Sequence, residues 1–234
     1  MPHASAPWRP LYRLAGICAM VIVLLLVGEV LVYATVRDPG TPEAVLDLFV
    51  RSPLVGLLFF DLLGMVSYLL FIPVMIAFSL LLRRHGEASA LVASALFLIG
   101  VAVFFANNTG FAVLSLSKEY ALAQTTVQKA VLLASCRTLI ALFDVNAFMV
   151  SYVIISAAWA LTGWAMLRSD VFSRATGYAG ILTGATAIIA EVLENASTAL
   201  VPVAIGFYFA AVLCSMVWMF LAGRRLLRLA AEAA

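Results

Sequence analysis

The sequence predicts an all-α integral membrane protein, a single-domain bundle of six transmembrane helices with both termini in the cytoplasm. Hydrophobic residues make up 65% of the 234 positions and charged residues only 11%, whereas a soluble domain has about 45–50% apolar and about 25% charged residues. A bilayer accepts so much apolar surface when each spanning segment satisfies its own backbone hydrogen bonds, which favours helices. The apolar stretches are too long for the strands of a membrane barrel.

Stretches of about 20 apolar residues, the length that crosses the hydrocarbon as a helix, define the predicted spans. They run near residues 14–36, 53–82, 88–116, 145–167, 175–197 and 199–222. Arg9 and Arg13 precede the first stretch, which is longer than the apolar part of a cleaved signal peptide, so we expect it to remain as a span.

One connection between spans is long. In the segment 117–143, polar residues such as Lys118, Gln128 and Arg137 interleave with apolar ones. Such a mixture is typical of a helix that lies in the membrane interface rather than across it. We therefore expect an amphipathic interfacial helix between spans three and four, on the extracytoplasmic side.

The distribution of basic residues predicts the orientation, because Lys and Arg are enriched in cytoplasmic loops. With the N-terminus inside, the cytoplasmic side receives most of them: Arg9, Arg13, Arg83, Arg84, Arg168, Arg174, Arg224, Arg225 and Arg228. The other side receives Arg37, Arg51, Lys118, Lys129 and Arg137. Both termini are therefore predicted to be cytoplasmic.

A layer of acids and amides lies in the predicted outer half of the spans. The candidate ligand-binding or proton-carrying residues are Glu29, Asp61, Asn107, Asn108 and Glu191, and the supporting candidates are Asp144, Asn146, Glu194, Tyr68, Tyr152 and Arg137. Acids in the hydrocarbon are costly to bury, so they mark a functional site by default. Asp144 and Asn146 sit where span four is predicted to begin, which favours a helix-capping role for them.

Four interpretations of this layer stay open. Burial disfavours the charged form of a carboxyl, which suits a proton carrier. Carboxylate and amide oxygens also bind hard cations, although no spacing here resembles a calcium loop. The acids could instead form a pocket for a basic organic ligand. In the fourth interpretation, the polar groups bond to one another and only fix the packing of the helices.

Two further patterns concern helix packing. Gly177, Gly180, Gly184 and Ala187 recur every three or four residues, which predicts that a neighbouring helix approaches closely and that Glu191 faces the bundle. The tetrapeptide Met-Val-Ser-Tyr occurs at 65–68 and again at 149–152, each time after a Phe-Asp pair. A repeat of helical hairpins would explain this recurrence, and so would chance in a biased composition.

The aromatic residues are predicted mainly to be lipid-facing or interfacial anchors, the usual place of such side chains in membrane proteins. A lipid-like or pigment pocket is the alternative. The residues concerned include Phe59, Phe60, Phe104, Phe105, Trp159, Trp164, Tyr208 and Trp218.

Several classes of site are disfavoured. The histidines are His3 and His85, both outside the predicted spans, and no lysine lies within a span. The sequence has no GxSxG, HExxH or P-loop motif. Cys18, Cys136 and Cys214 are widely separated, and the net charge is only +2. We therefore expect no cofactor, no metal site, no disulfide and no nucleic-acid partner.

Two blocks of sequence resemble a known family. They are Ala106-Asn107-Asn108-Thr109-Gly110-Phe111 with the following Leu114 to Ala121, and Met166-Leu167-Arg168-Ser169 with the following Phe172 to Tyr178. They are similar to an uncharacterised bacterial family of six-span membrane proteins, domain of unknown function 4386. The resemblance implies a six-helix protein of the bacterial plasma (inner) membrane, and it implies no activity.

The favoured functional hypothesis is binding or transport of a small cationic or lipid-like ligand by the acidic layer. An accessory or scaffold subunit of a membrane complex is the alternative, and an intramembrane enzyme using paired carboxylates is a third and less favoured one. The expected partners are the lipid bilayer, a small-molecule ligand, and further copies of the chain or other subunits of a membrane complex.

Overall fold

A computed structural model describes residues 8–36, 39–83 and 88–232, and these residues form helices and no strand. His3, Arg37, Asp38 and residues 84–87, which include Arg84 and His85 of a predicted loop, lie outside the described residues. The α-helices are α1 (Arg9–Thr35), α2 (Pro42–Arg51), α3 (Pro53–Phe59), α4 (Leu62–Leu82), α5 (Ala88–Asn107), α6 (Gly110–Leu122), α7 (Thr126–Leu142), α8 (Ser151–Leu167), α9 (Arg174–Ala196) and α10 (Val201–Glu232). A π-helix at Phe143–Val150 joins α7 to α8, and a 3₁₀ turn at Thr198–Leu200 precedes α10.

Six helical segments of the described chain are long and apolar enough to cross a membrane. They are Arg9–Thr35, Leu62–Leu82, Ala88–Leu122, Thr126–Leu167, Arg174–Ala196 and Thr198–Glu232. The predicted all-helical, six-span architecture is therefore confirmed, and the chain is a multi-pass membrane protein.

The six spans form a closed ring. α1 packs against α4 and α10, α9 packs against α8 and α10, and α5 packs against α4 and α8. α4 and α8, which flank α5, make little contact with each other, and the ring encloses a cavity. Arg9 Nε donates to the carbonyl of Ala230 over 3.1 Å, which places the beginning of α1 and the end of α10 at the same end of the bundle.

The predicted glycine row packs as expected. A Cβ at Gly184 would overlap the backbone of Ser156, and one at Gly180 would lie 3.0 Å from the Cα of Gly163. α8 and α9 can therefore approach closely only because these positions lack side chains. Glu191, which continues this row, is buried.

The second span differs from its prediction. Residues 53–82 are not one helix, because the chain leaves the α conformation at Asp61, whose φ of 58° and ψ of 45° lie in the left-handed region. The Asp61 carboxylate accepts the N–H of Gly64 over 3.1 Å and so caps the start of α4. Only α4 is long enough to span, and α3 is a separate helix of 7 residues.

The third span is interrupted in a similar way. α5 ends at Asn107, and the helix resumes with α6 at Gly110. Asn108 Nδ2 donates to the carbonyl of Phe60 over 2.9 Å, and its Oδ1 accepts the N–H of Gly110 over 3.2 Å. One side chain therefore stabilises the interruption of the third span and links it to the irregular turn before α4.

The segment between spans three and four forms a helical hairpin. α6 ends at Leu122, and Thr125 begins α7 with a capping box in which its hydroxyl accepts the N–H of Gln128. α7 then continues through the π-helix into α8 without a loop. The predicted N-cap role of Asp144 and Asn146 is consequently wrong, because both lie inside the π-helix and the chain is helical without a break from α7 to α8.

Candidate functional site

A cavity of about 690 Å³ lies inside the ring, in the half of the bundle away from the termini. Its walls come from α1, Asp61 with α4, the π-helix with α8, α9 and α10. Five carboxyl groups line it: Glu29, Asp61, Asp144, Glu191 and Glu194. None of the described residues lining it is a lysine or an arginine. The cavity is therefore strongly acidic.

Glu29 joins α1 to α4 on one side of the cavity. The buried Ser67 donates from Oγ to Glu29 Oε1 over 3.0 Å. One carboxylate oxygen is thus held by the protein. Glu29 lies about two turns before the end of α1, so it reaches into the bundle rather than to its edge.

Asp61 lines the cavity from the irregular turn between α3 and α4. A Cβ at Gly64 would overlap the Asp61 carboxylate, so the cap requires a glycine at that position. A non-glycine residue at positive φ is strained and marks a functional constraint when the surroundings hold it in place. Here the hydrogen bond from Gly64 and the neighbouring buried Phe60 hold Asp61 in the left-handed conformation.

Glu191 and Glu194 share one phenol on the opposite side. Tyr208 Oη lies 2.7 Å from Glu191 Oε1 and 2.7 Å from Glu194 Oε2. A phenol carries a single hydrogen. Both contacts can be hydrogen bonds at once only if one carboxyl also carries a proton and donates it to the phenol oxygen. This cluster therefore suits a bound proton or a cation.

Aromatic rings form the deeper walls. The ring of Trp159 lies 5.5 Å from Phe71 and 6.1 Å from Tyr152, and Tyr152 lies 5.7 Å from Phe148 and 6.3 Å from Tyr208, measured between centroids. Tyr68 lines the same cavity. The carboxyl groups therefore stand over an apolar, aromatic interior.

The aromatic residues correct one prediction. Phe60, Phe104, Trp159 and Trp218 are buried within the bundle and are not lipid-facing anchors. Trp164 is 53% exposed in the bundle, as an anchor would be. The interior positions follow from the ring, because its enclosed space needs large side chains to fill it.

The other candidate residues lie elsewhere. Asn107, Asn108, Asn146 and Arg137 are absent from the described lining of the cavity. Asn107 Nδ2 donates to Val103 O of its own helix over 2.9 Å, and Arg137 is exposed on α7. The structure thus brings together Glu29, Asp61, Glu191, Asp144, Glu194, Tyr68 and Tyr152 and leaves those four outside.

Both Met-Val-Ser-Tyr segments contribute to the lining of the cavity. Tyr68 and Tyr152 both line it, and the rings of the preceding Phe60 and Phe143 are 4.8 Å apart. Between the Phe-Asp pair and the tetrapeptide, the second copy has one more residue than the first. That extra residue falls in the π-helix, whose wider turn accommodates it.

Sequence reasoning did not single out Ser67 or the hydroxyl of Tyr208. Tyr208, Ala211, Val212 and Ser215 recur at the spacing of one helix face, and all of them line the cavity. This mixture of small and polar residues on the last span was the available signal. Ser67 could have been found as part of the recurring tetrapeptide.

A family model described as "Domain of unknown function (DUF4386)" matches residues 14–227. The chain belongs to the DUF4386 family. No curated protein and no solved structure matches this DUF4386 chain. The family description assigns no activity, so function has to be inferred from the cavity.

Proposed function

We propose that this DUF4386 protein binds a small amphipathic organic cation in the acidic cavity, as a step in moving it across the bacterial plasma membrane. The observation that carries the proposal is the set of five lining carboxyl groups without a basic residue among the described lining. Negative charges repel strongly where the effective dielectric constant is low. A bound cation relieves this repulsion, whereas an anion would increase it.

The aromatic interior supports an organic cation. Ammonium groups are attracted to the faces of aromatic rings, and Tyr68, Tyr152 and Tyr208 are available on three helices. A ligand with an apolar body would also fill space that is mostly apolar. The described residues contain no group of three or more His, Cys, Asp or Glu side chains placed to hold a metal ion, which favours an organic cation over a metal ion.

Irregular backbone near the cavity supports movement of the ligand. Asp61 and the π-helix both contribute to the lining, and the Asn108 interruption is bonded to the residue before Asp61. Interrupted spans commonly carry the substrate sites of secondary transporters, and π-helical turns are frequent at functional sites. These elements are the ones expected to change shape when a ligand enters or leaves.

The test measures binding of nonyltrimethylammonium by calorimetry to the protein in lipid nanodiscs, with empty nanodiscs as the blank for partition into lipid. The test variant combines Glu29→Gln, Asp61→Asn and Glu191→Gln. Glu119→Gln, on the exposed surface of α6, is the matched control. We expect the triple variant to bind at least about tenfold more weakly, because charge-assisted contacts are lost, and the control to bind like the wild type.

Nonyl sulfate, which has a similar apolar chain and the opposite charge, provides a second control and should not bind in the cavity. Uptake of the cation by proteoliposomes then tests movement. Equal affinity of the triple variant and the wild type for nonyltrimethylammonium would overturn the binding proposal. Binding without uptake would overturn only the transport step.

A further inference from the structure

Two buried polar atoms, on residues that line the deep end of the cavity, have no hydrogen-bond partner in the part of the chain that the structure describes. Trp159 Nε1 and Ser215 Oγ have no hydrogen-bond partner among the described residues, and the side chains are 6% and 3% exposed. Both residues belong to the lining of the cavity. A buried polar group without a partner is costly, and such groups in a binding cavity indicate what a ligand supplies.

Other polar side chains in the spans do have hydrogen-bond partners. Several other hydroxyl groups in the spans bond to the carbonyl four residues earlier, as Thr162 does to Ala158 over 2.8 Å and Thr183 does to Ala179 over 2.8 Å. The neighbouring indole of Trp218 donates to Met166 Sδ over 3.4 Å. Among the described residues, the buried side-chain polar atoms without a partner are those of Trp159 and Ser215, at the floor of the cavity, and of Ser156.

The two groups lie at the same depth. Ser215 follows Tyr208 by seven residues on α10, and Trp159 follows Tyr152 by seven residues on α8. Both helices run from the acidic end toward the termini, so each group lies about 10 Å deeper than the tyrosines beside the carboxyl groups. Trp218, one turn beyond Ser215, holds its ring 6.5 Å from that of Trp159.

We propose that Trp159 and Ser215 bind a hydrogen-bond acceptor at the apolar end of the ligand, such as a carbonyl or ether oxygen, and so determine specificity. This inference rests on the proposed function, because the carboxyl groups hold the cationic end. An indole N–H is a donor only, and a hydroxyl can rotate to donate. The ligand class is therefore an amine whose acceptor oxygen lies about 10 Å from its nitrogen, along the depth of the cavity.

The experiment compares nonyltrimethylammonium with its analogue that carries a methyl-ketone oxygen near the far end of the chain. In the wild type, we expect the ketone to bind about three- to tenfold more tightly, the usual worth of one or two hydrogen bonds. Ser215→Ala and Trp159→Phe should each reduce this preference without abolishing binding of the plain cation. Ser156→Ala, an equally buried serine that is not part of the described lining, is the matched control and should keep the preference.

The outcomes separate the two proposals. If both cations bind equally well to the wild type, the cation site stands and the acceptor site is wrong. If neither cation binds, the proposed function fails and the acceptor site fails with it. Thermal unfolding without ligand provides a readout of folding: Ser215→Ala should unfold near the wild-type temperature, because it removes a group that has no partner to lose.

Discussion

The hydroxyl group of Tyr208 is the contact point for two carboxyl groups of the cavity. It contacts the carboxyl groups of both Glu191 and Glu194, and Glu191 is only 3% exposed. Removing the hydroxyl leaves a buried carboxyl without its donor and brings two acids together with nothing between them. The same change in a tyrosine on the outer surface of the bundle leaves these two buried contacts in place.

Tyr208→Phe is therefore expected to lower the free energy of unfolding by about 1–3 kcal/mol, the usual penalty for a buried polar group that loses its partner. Tyr178→Phe is the matched control, because Tyr178 is 57% exposed on α9. Thermal unfolding of both variants in the same detergent measures the difference. Identical unfolding temperatures for the two variants would contradict the role assigned to the hydroxyl.

The position of the Asp61 carboxylate depends on Gly64, which leaves room for it. Gly64→Ala should displace the carboxylate and break the cap at the start of α4, lowering stability by about 1 kcal/mol or more and weakening cation binding. Gly206→Ala on α10 is the control, because a Cβ there meets no atom within 4 Å. Alanine favours a helix over glycine, so the control should be at least as stable as the wild type.

Calorimetry with nonyltrimethylammonium and thermal unfolding together check the Gly64 prediction. An affinity of Gly64→Ala equal to that of Gly206→Ala would show that the placement of the Asp61 carboxylate does not matter for binding.

At the scale of elements, the sequence predicts the number of spans well because spanning depends on apolar length alone. It does not predict the interruptions at Asp61 and Asn108. These depend on a hydrogen bond between residues 48 positions apart in the chain, which local patterns of hydropathy do not contain. Glu29, Asp61 and Glu191 line one cavity in the half of the bundle in which the span ends predicted them. The bond of Asn107 within its own helix and the link from Asn108 to Phe60 were not readable in this way.

Two adjacent asparagines allow a direct test of how the interrupted spans are linked. Asn108 supplies the buried link to the Phe60 carbonyl, and Asn107 bonds only to Val103 of its own helix in the described structure. Asn108→Ala should lower the free energy of unfolding by about 1–3 kcal/mol, because a carbonyl and an N–H lose their partners. Asn107→Ala should cost about 1 kcal/mol or less. Chemical unfolding in a fixed detergent measures both, and a larger loss for Asn107→Ala would contradict the assignment.

At the scale of the whole molecule, the ring of spans forms the walls of the cavity, and the short helices pack together at one end of the bundle. The described chain ends meet at one end of the bundle, where Arg9 bonds to Ala230 and Arg225 Nε donates to Val171 O over 2.9 Å. At the other end, α2, α3, α6 and α7 pack together. Cys136 Sγ lies 3.8 Å from the carbonyl of Pro42, and Thr109 donates to Leu139 O over 2.8 Å. The described lining of the cavity contains no residue of α2, α3, α6 or α7, so these tied helices stand outside the walls of the cavity.

The basic residues near the chain ends predict which side of the membrane carries these short helices. Because Lys and Arg accumulate on the cytoplasmic side, the ends of the chain should lie inside and the cavity should lie in the outer half. In a variant with Cys18, Cys136 and Cys214 replaced by alanine, Ala121→Cys on exposed α6 should react with a membrane-impermeant maleimide in intact cells. Ala175→Cys, exposed at the start of α9, should react only after the membrane is permeabilised. The opposite pattern would turn the cavity toward the cytoplasm, and the proposed cation would then enter it from inside the cell.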